Sequence, residues 1–131
     1  MRLITFLGTG GYQKVTYSLD SKSYVTAFFP VALVHCIQIE PKSVLCFVTE
    51  ASAKHFKDLK QEINSSKPDI DVTLINIPNG SNEQEQWEIF KIVTNSLESN
   101  EEVYFDITHG FRTIPLLTFL AASYLGCVRI L

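Results

Sequence analysis

The sequence has little of several features that would assign it to a function class. Its three cysteines stand in apolar surroundings without the spacing of metal ligands, which predicts buried, reduced thiols. The net charge of −3 provides no basic excess for broad contact with duplex nucleic acid. A small anionic ligand needs only a local positive site. The longest apolar stretch, residues 114–125, suits a buried helix and is too short to span a membrane.

The overall composition is that of an ordinary globular domain. Hydrophobic residues make up 46% and charged residues 19% of the 131 positions, which is enough for one core. No signal peptide, internal repeat or low-complexity stretch is visible in the sequence. We therefore expect a single domain over residues 1–131 that resides in the cytoplasm.

Short apolar strands alternate with helical segments along the chain. The predicted strands are 3–7, 44–48, 72–77, 102–106 and 128–131, and the predicted helices are 28–39, 51–63, 83–97 and 113–125. Residues 18–23 are polar and predict a turn. Continuously apolar strands indicate a mainly parallel sheet with helices on both faces, a Rossmann-like doubly wound α/β fold. We expect the strand order 3-2-1-4-5, which makes the first and fourth strands neighbours and their following loops two walls of one crevice.

The loop after the first strand is rich in glycine. Its candidate ligand-binding residues are Gly8, Thr9, Gly10, Gly11, Tyr12 and Lys14. A dinucleotide fingerprint would need glycine at Gln13, and the Gly-Lys-Ser/Thr of a phosphate loop is missing. Two interpretations stay open, a turn that needs positive φ and a backbone that a ligand approaches closely. Thr9 and Lys14 would add hydrogen-bond donors, and Tyr12 an aromatic face for a base.

The loop after the fourth strand carries the densest group of functional side chains. Residues 106–112 read Asp-Ile-Thr-His-Gly-Phe-Arg, between a strand and the start of a predicted helix. His109 lies in a polar loop at a strand end, which favours a functional role over that of a core histidine. Arg112 fits a phosphate at a helix N-terminus. Asp106 is predicted to be structural, as are His35 and His55 unless these are solvated, and no acidic cluster indicates a metal.

The last predicted helix, residues 113–125, is apolar nearly all round. One face of this helix covers the sheet, and the other needs a partner, because an exposed apolar patch of that size is unusual on a monomer. Deep burial of the helix in a larger protein would cover this second face. A homodimer interface is the sharper interpretation.

In their order along the chain, these motifs resemble the CRISPR-associated Rossmann fold (CARF) domain, in the branch named for its Asp-x-Thr-His-Gly motif. The resemblance extends over essentially the whole chain. Its carriers are residues 7–10, Tyr17, Ala32, Leu33, Thr49 with Ala53, residues 77–80, Trp87 with Phe90, and residues 106–112 followed by Pro115. The resemblance implies a homodimer that binds a cyclic oligoadenylate, a second messenger of type III CRISPR antiviral defence, across its two-fold axis.

The same resemblance implies a set of ligand-binding residues in each protomer. These are Thr9, Gly10 and Gly11 in the first loop, with Thr108, His109, Gly110, Phe111 and Arg112 in the second. A cyclic tetra-adenylate has two-fold symmetry and one negative charge per phosphate, so a two-fold dimer offers it a self-complementary site. Neither a cofactor nor a metal is implied, and the expected partners do not include duplex nucleic acid or a membrane.

Two function classes remain open for such a domain. The first is a ring nuclease that cleaves the messenger without a metal, with His109, Arg112 and Thr9 as candidate catalytic residues. The second is a non-catalytic sensor, possible as the truncated part of a longer CARF-effector ribonuclease. Longer members continue past the fifth strand into an effector domain whose Arg and His pair is missing here. We favour the nuclease, and an unrelated nucleotide-binding α/β protein is a third interpretation.

Overall fold

The computed structural model of the chain describes residues 2–8, 12–19, 21–36, 41–98, 102–106 and 128–130. A parallel sheet of five strands, with helices packed on its faces, forms the centre of this part of the chain. In chain order the elements are β1 (Arg2–Leu7), β2 (Val15–Leu19), β3 (Lys22–Thr26), α1 (Phe29–Cys36), β4 (Ser43–Val48), a 3-10 turn (Ala53–His55), α2 (Phe56–Ser66), β5 (Asp71–Asn76), α3 (Glu83–Ser96), β6 (Val103–Asp106) and β7 (Val128–Ile130).

The predicted fold class is confirmed. The large sheet has the order β5-β4-β1-β6-β7, and every neighbouring pair in it is parallel. If only the five strands of this sheet are numbered along the chain, their order across the sheet is 3-2-1-4-5. The full strand order differs from the prediction because two strands between β1 and α1 stand outside the large sheet.

Those two strands form an antiparallel hairpin that the sequence analysis missed. β2 pairs with β3, with Tyr17 opposite Tyr24 in the register. The prediction treated residues 18–23 as a turn only, whereas most of them belong to the hairpin strands. Polar and apolar residues alternate from Val15 to Leu19, and such a period of two is typical of a half-exposed strand. The hairpin packs against α1, where the rings of Tyr17 and Phe29 lie 5.2 Å apart.

The two faces of the sheet carry separate hydrophobic clusters. On one face, α1, α2 and Phe28 cover the side chains of Leu3, Leu7, Val44 and other strand residues. On the opposite face, α3 covers Ile4, Phe6, Leu45 and Phe47. Successive side chains of a strand point to opposite faces, so both sets must be apolar when helices cover both sides. This explains why the strands are apolar without a break.

The start of α3 is set by its own sequence. Asn82 is the N-cap, and its side chain accepts a hydrogen bond from the Glu85 N–H at 2.8 Å. The Glu85 carboxylate accepts in turn from the N–H groups of Gly80 and Ser81, both at 3.2 Å. Gly80 has φ +75°, and a Cβ there would lie 3.3 Å from Ile89 Cδ1, so this turn requires glycine.

The buried stripe of α3 differs from the predicted one, in which Trp87, Phe90, Val93 and Leu97 share one side of the helix and the two aromatic residues belong to the core. Ile89, Val93 and Leu97 repeat at intervals of four and are buried, whereas 59% of Trp87 is exposed. The grouping of Trp87 with the core was therefore wrong. On a helix, position 87 lies roughly 200° from position 89 around the axis, on the side away from the sheet.

The remaining general expectations concern thiols, membranes and the last helix. Cys36 and Cys46 are buried free thiols, as predicted. No helix within the described residues is long and apolar enough to cross a membrane. The predicted helix over 113–125, with Cys127 after it, lies outside the described residues.

Candidate functional site

The first and fourth strands of the sheet are neighbours, as expected. β1 pairs with β6 in parallel, with Arg2 opposite Val103 and Thr5 opposite Asp106. Their carboxyl ends therefore lie at one edge of the sheet, beside each other, at the point where the strand order reverses. The predicted crevice falls at this edge. Eight of its predicted residues, Thr9, Gly10, Gly11, Thr108, His109, Gly110, Phe111 and Arg112, lie outside the described residues.

A tyrosine closes the loop that follows β1. The Gly8 N–H donates a hydrogen bond to the Tyr12 hydroxyl oxygen at 2.8 Å, and that hydroxyl donates to the Gly8 carbonyl at 3.1 Å. One side chain thus holds both polar groups of the backbone at the first position beyond the strand. Two predicted ligand-binding residues, Gly8 and Tyr12, are brought together by this contact, in which Tyr12 acts as a clasp across the loop.

The protonation state of Tyr12 suits this double contact. Burial raises the pKa of the Tyr12 phenol, and the charge of Asp106 acts in the same direction, against a lowering by the Gly8 hydrogen bond. At neutral pH the hydroxyl therefore keeps its proton and can donate to a carbonyl while it accepts from an N–H. An ionised tyrosine would lose the bond to the Gly8 carbonyl.

Asp106 is buried at the base of the second loop. Only 2% of Asp106 is exposed, and its Oδ2 accepts a hydrogen bond from the Thr5 hydroxyl at 3.0 Å. The bond joins the last residue of β6 to the neighbouring strand β1. This position agrees with a structural role for the Asp106 carboxylate. Burial of the nearby Cys46 thiol, together with the charge of Asp106, raises the pKa of that thiol and keeps it protonated.

Tyr12 and Lys14, both predicted to bind ligand, line one pocket of about 530 Å³. Phe28, at the junction of the hairpin and α1, and His55, where α2 begins, line the same pocket. The other lining residues are the apolar Ala27 and the polar or charged Asp58, Gln61, Glu62 and Ser65. The Thr26 hydroxyl donates to the Glu62 carboxylate, which ties the hairpin to α2 beside this pocket.

His55 is the member of this group that the sequence analysis assigned to structure or solvent. Its ring meets the Tyr12 ring edge to face, with ring centres 4.6 Å apart and planes at 76°. Among the described residues, its Nε2 is the one buried side-chain polar atom without a hydrogen-bond partner. Burial, followed by the charge of Lys54, lowers the pKa of His55, against a smaller rise from Asp58, so the ring is neutral at pH 7.

The sequence carried only a weak signal for this arrangement. His55 follows the turn after β4. This strand ends at the same sheet edge as Gly8, because its Val48 pairs with Leu7 of β1. Parallel neighbours place their following segments together, so a polar residue after β4 was a candidate for the site. The Tyr12–His55 contact itself joins residues 43 positions apart and has no sequence signature.

The part of the chain that the structure describes contains no group of three or more His, Cys, Asp or Glu side chains arranged to hold a metal ion. Besides the carboxylates of Asp58, Glu62 and Asp106, the described polar groups at the sheet edge are hydroxyl, backbone, imidazole and ammonium groups. These groups suit hydrogen bonding to an organic ligand and contact with an anion.

A parallel sheet with this strand order and a polar edge defines a Rossmann-like ligand-binding domain. A family model described as the CARF domain of the CRISPR system endoribonuclease Csx1 matches residues 2–129. The chain therefore belongs to this CARF domain family, which indicates cyclic oligoadenylate sensing in type III CRISPR systems. No curated protein matches the sequence.

Proposed function

We propose that the chain binds cyclic tetra-adenylate across a homodimer and cleaves it as a ring nuclease that needs no metal. The family match over residues 2–129 carries the ligand class. The adjacent ends of β1 and β6 support a site made from the two following loops, because loops at a reversal of strand order share a crevice. The two-fold symmetry of the four-membered ring favours one such site across two protomers.

The proposed reaction uses the ligand's own nucleophile. A ribose 2′-OH attacks the adjacent phosphorus, the 5′ oxygen leaves as a hydroxyl, and a 2′,3′-cyclic phosphate remains. His109 would accept the 2′-OH proton or donate one to the leaving oxygen. Arg112 and Lys14 would balance the charge that develops on the phosphoryl oxygens, and Thr9 and Thr108 would orient the attacking ribose. Gly8, Gly10, Gly11, Gly110 and Phe111 would line the ring, with Tyr12 supporting the first loop.

Cleavage is tested by incubating purified protein with radiolabelled cyclic tetra-adenylate and hexa-adenylate in the presence of a chelator. We expect linear products that end in a 2′,3′-cyclic phosphate, formed faster from the four-membered ring. His109→Ala should slow cleavage by about 100-fold or more, the usual share of a general acid or base. Arg112→Ala should slow it and also weaken binding, because the guanidinium would contact phosphate before and during the reaction.

The matched control is His35→Ala, which makes the same change at a histidine stacked on Tyr24 in the hairpin region. This variant should cleave at the wild-type rate. Tight binding with an intact ring after many hours would contradict the nuclease. Failure to bind either ring would contradict the proposed ligand as well.

A non-catalytic sensor is the second candidate function. The matched family model is that of the CARF domain of an endoribonuclease. This favours a domain that binds the ring while a separate unit performs the catalysis. In that case His109→Ala would alter affinity alone. Light scattering with and without cyclic tetra-adenylate would test the homodimer that both candidates share.

A further inference from the structure

The loop after β1 is tied to both helices on one face of the sheet through a single side chain. The Tyr12 hydroxyl holds Gly8, while the Tyr12 ring lies 4.9 Å from the Phe28 ring and 4.6 Å from the His55 ring, measured between centres. Phe28 precedes α1, and His55 precedes α2. The geometry of Gly8 therefore depends on how firmly these two rings hold Tyr12.

His55 itself is presented by a tightly bonded turn after β4. The Thr49 N–H donates to Ser52 Oγ at 2.9 Å, and the Ser52 N–H donates to the Thr49 carbonyl at 3.1 Å. The His55 N–H then donates to the Ser52 carbonyl at 3.1 Å. Both Thr49 and Ser52 are buried, at 2% and 0% exposure, so the turn has little freedom to move.

These contacts close a circuit at the carboxyl edge of the sheet. The circuit runs from β1 to Gly8, through Tyr12 and His55 to the Thr49–Ser52 turn, and back through β4, whose Val48 pairs with Leu7 of β1. Each step is a hydrogen bond, a ring contact or a strand pairing. Gly8 is therefore joined to the sheet through β1 on one side and through Tyr12, His55 and the Thr49–Ser52 turn on the other.

We propose that His55 is a positioning residue for the cyclic-oligoadenylate site, acting through Tyr12 to hold the backbone of Gly8 directly after β1. This inference rests on the proposed ligand and goes beyond it in adding a residue of α2's leading turn to the site. His55 contacts Tyr12 through its ring. Its buried Nε2 has no hydrogen-bond partner among the described residues. A backbone position that is already held at Gly8 loses less conformational freedom when a ligand binds, and this raises affinity.

Three variants separate positioning from general structure. His55→Ala removes the ring, His55→Phe keeps an aromatic edge against Tyr12 without the unpaired nitrogen, and His35→Ala removes the other histidine that contacts a tyrosine. For each, the hydrogen exchange of the Gly8 amide is measured by NMR, and the Kd for cyclic tetra-adenylate by calorimetry. All measurements are made well below the melting temperature of the least stable variant.

We expect His55→Ala to weaken binding about tenfold and to accelerate Gly8 exchange. His55→Phe should restore both to near wild type, and His35→Ala should change neither. Unchanged Gly8 exchange in His55→Ala, or loss of binding that His55→Phe does not rescue, would overturn the proposal. If wild-type protein binds neither ring nucleotide, the proposed function fails, whereas faster Gly8 exchange with rescue by phenylalanine still supports the restraint of the loop.

Discussion

Two tyrosine–histidine contacts on the same face of the sheet differ in what they hold. Tyr24 and His35 stack nearly parallel, with ring centres 3.9 Å apart and planes at 9°, between the hairpin and α1. Tyr12 and His55 meet edge to face, with planes at 76°. In the second pair the tyrosine hydroxyl reaches the backbone of Gly8.

The difference shows how one pair of residue types can serve two purposes. A parallel stack buries two ring faces and holds the hairpin to its helix. The edge contact supports the side of the Tyr12 ring while its hydroxyl binds a loop at the carboxyl edge of the sheet. Position relative to the strand ends, rather than residue type, therefore separates a packing contact from one that holds the backbone directly after a strand.

The largest expected effect comes from removing the second ring that supports Tyr12. Phe28 is 4% exposed, and Phe28→Ala should lower the free energy of unfolding by about 3–5 kcal/mol, as is usual for a buried phenylalanine. Phe29→Ala, beside Tyr17 in the hairpin region, should cost clearly less because Phe29 is only half-buried. Urea denaturation followed by circular dichroism measures both. Equal losses would erase the distinction between the two regions.

A smaller effect follows from removing only the hydroxyl groups. Tyr12→Phe leaves the Gly8 N–H and carbonyl without this partner and should cost about 1–3 kcal/mol. Tyr24→Phe should cost no more than about 0.5 kcal/mol, because no hydrogen bond of the Tyr24 hydroxyl occurs among the described residues. The same denaturation experiment compares them, and Gly8 amide exchange should accelerate in Tyr12→Phe alone. An equal loss of unfolding free energy in Tyr24→Phe would contradict the role of the Tyr12 hydroxyl in holding Gly8.

The smallest effect is one that the two pairs should share. Burial lowers the pKa of both His35 and His55 from 6.5, so the unfolded chain binds their protons more readily than the folded protein does. Stability from this source is present above pH 6.5 and is lost as the pH falls toward the lowered values. His35→Phe and His55→Phe should each make the unfolding free energy less dependent on pH between about 5 and 7.

Denaturation midpoints at several pH values measure this dependence. The groups facing His55 are Lys54, which lowers its pKa, and Asp58, which raises it. Lys67 and Glu62 act in the same two senses on His35. A steeper pH dependence in either phenylalanine variant would contradict the direction of the shift.

The central sheet was predictable because its signal is local and strong. Continuously apolar strands such as residues 44–48 can be buried only between two helical layers, and short alternating elements then require parallel strands. The adjacency of the ends of β1 and β6 followed from that topology and is confirmed by the pairing of Thr5 with Asp106. Each described end of the five sheet strands lies within one residue of its predicted position.

The hairpin and the buried face of α3 were harder to predict from the sequence, for physical reasons. Polar residues in β2 and β3 suggested a turn, because half-exposed strands carry the same residue types as loops. Trp87 was predicted to share one side of α3 with Phe90, Val93 and Leu97, yet the stripe of Ile89, Val93 and Leu97 is the side that faces the sheet.

The sequence by itself determined the fold class, the order of the sheet strands and the glycine-rich and histidine-bearing motifs that follow its first and fourth strands. Hydrophobic periodicity and motif order are properties of neighbouring residues and can be seen without coordinates. Only the tertiary structure decided that Tyr12 binds back to Gly8 and that His55, assigned by sequence to structure or solvent, supports it. These contacts depend on strand pairing and helix packing, which bring together residues that the chain keeps far apart.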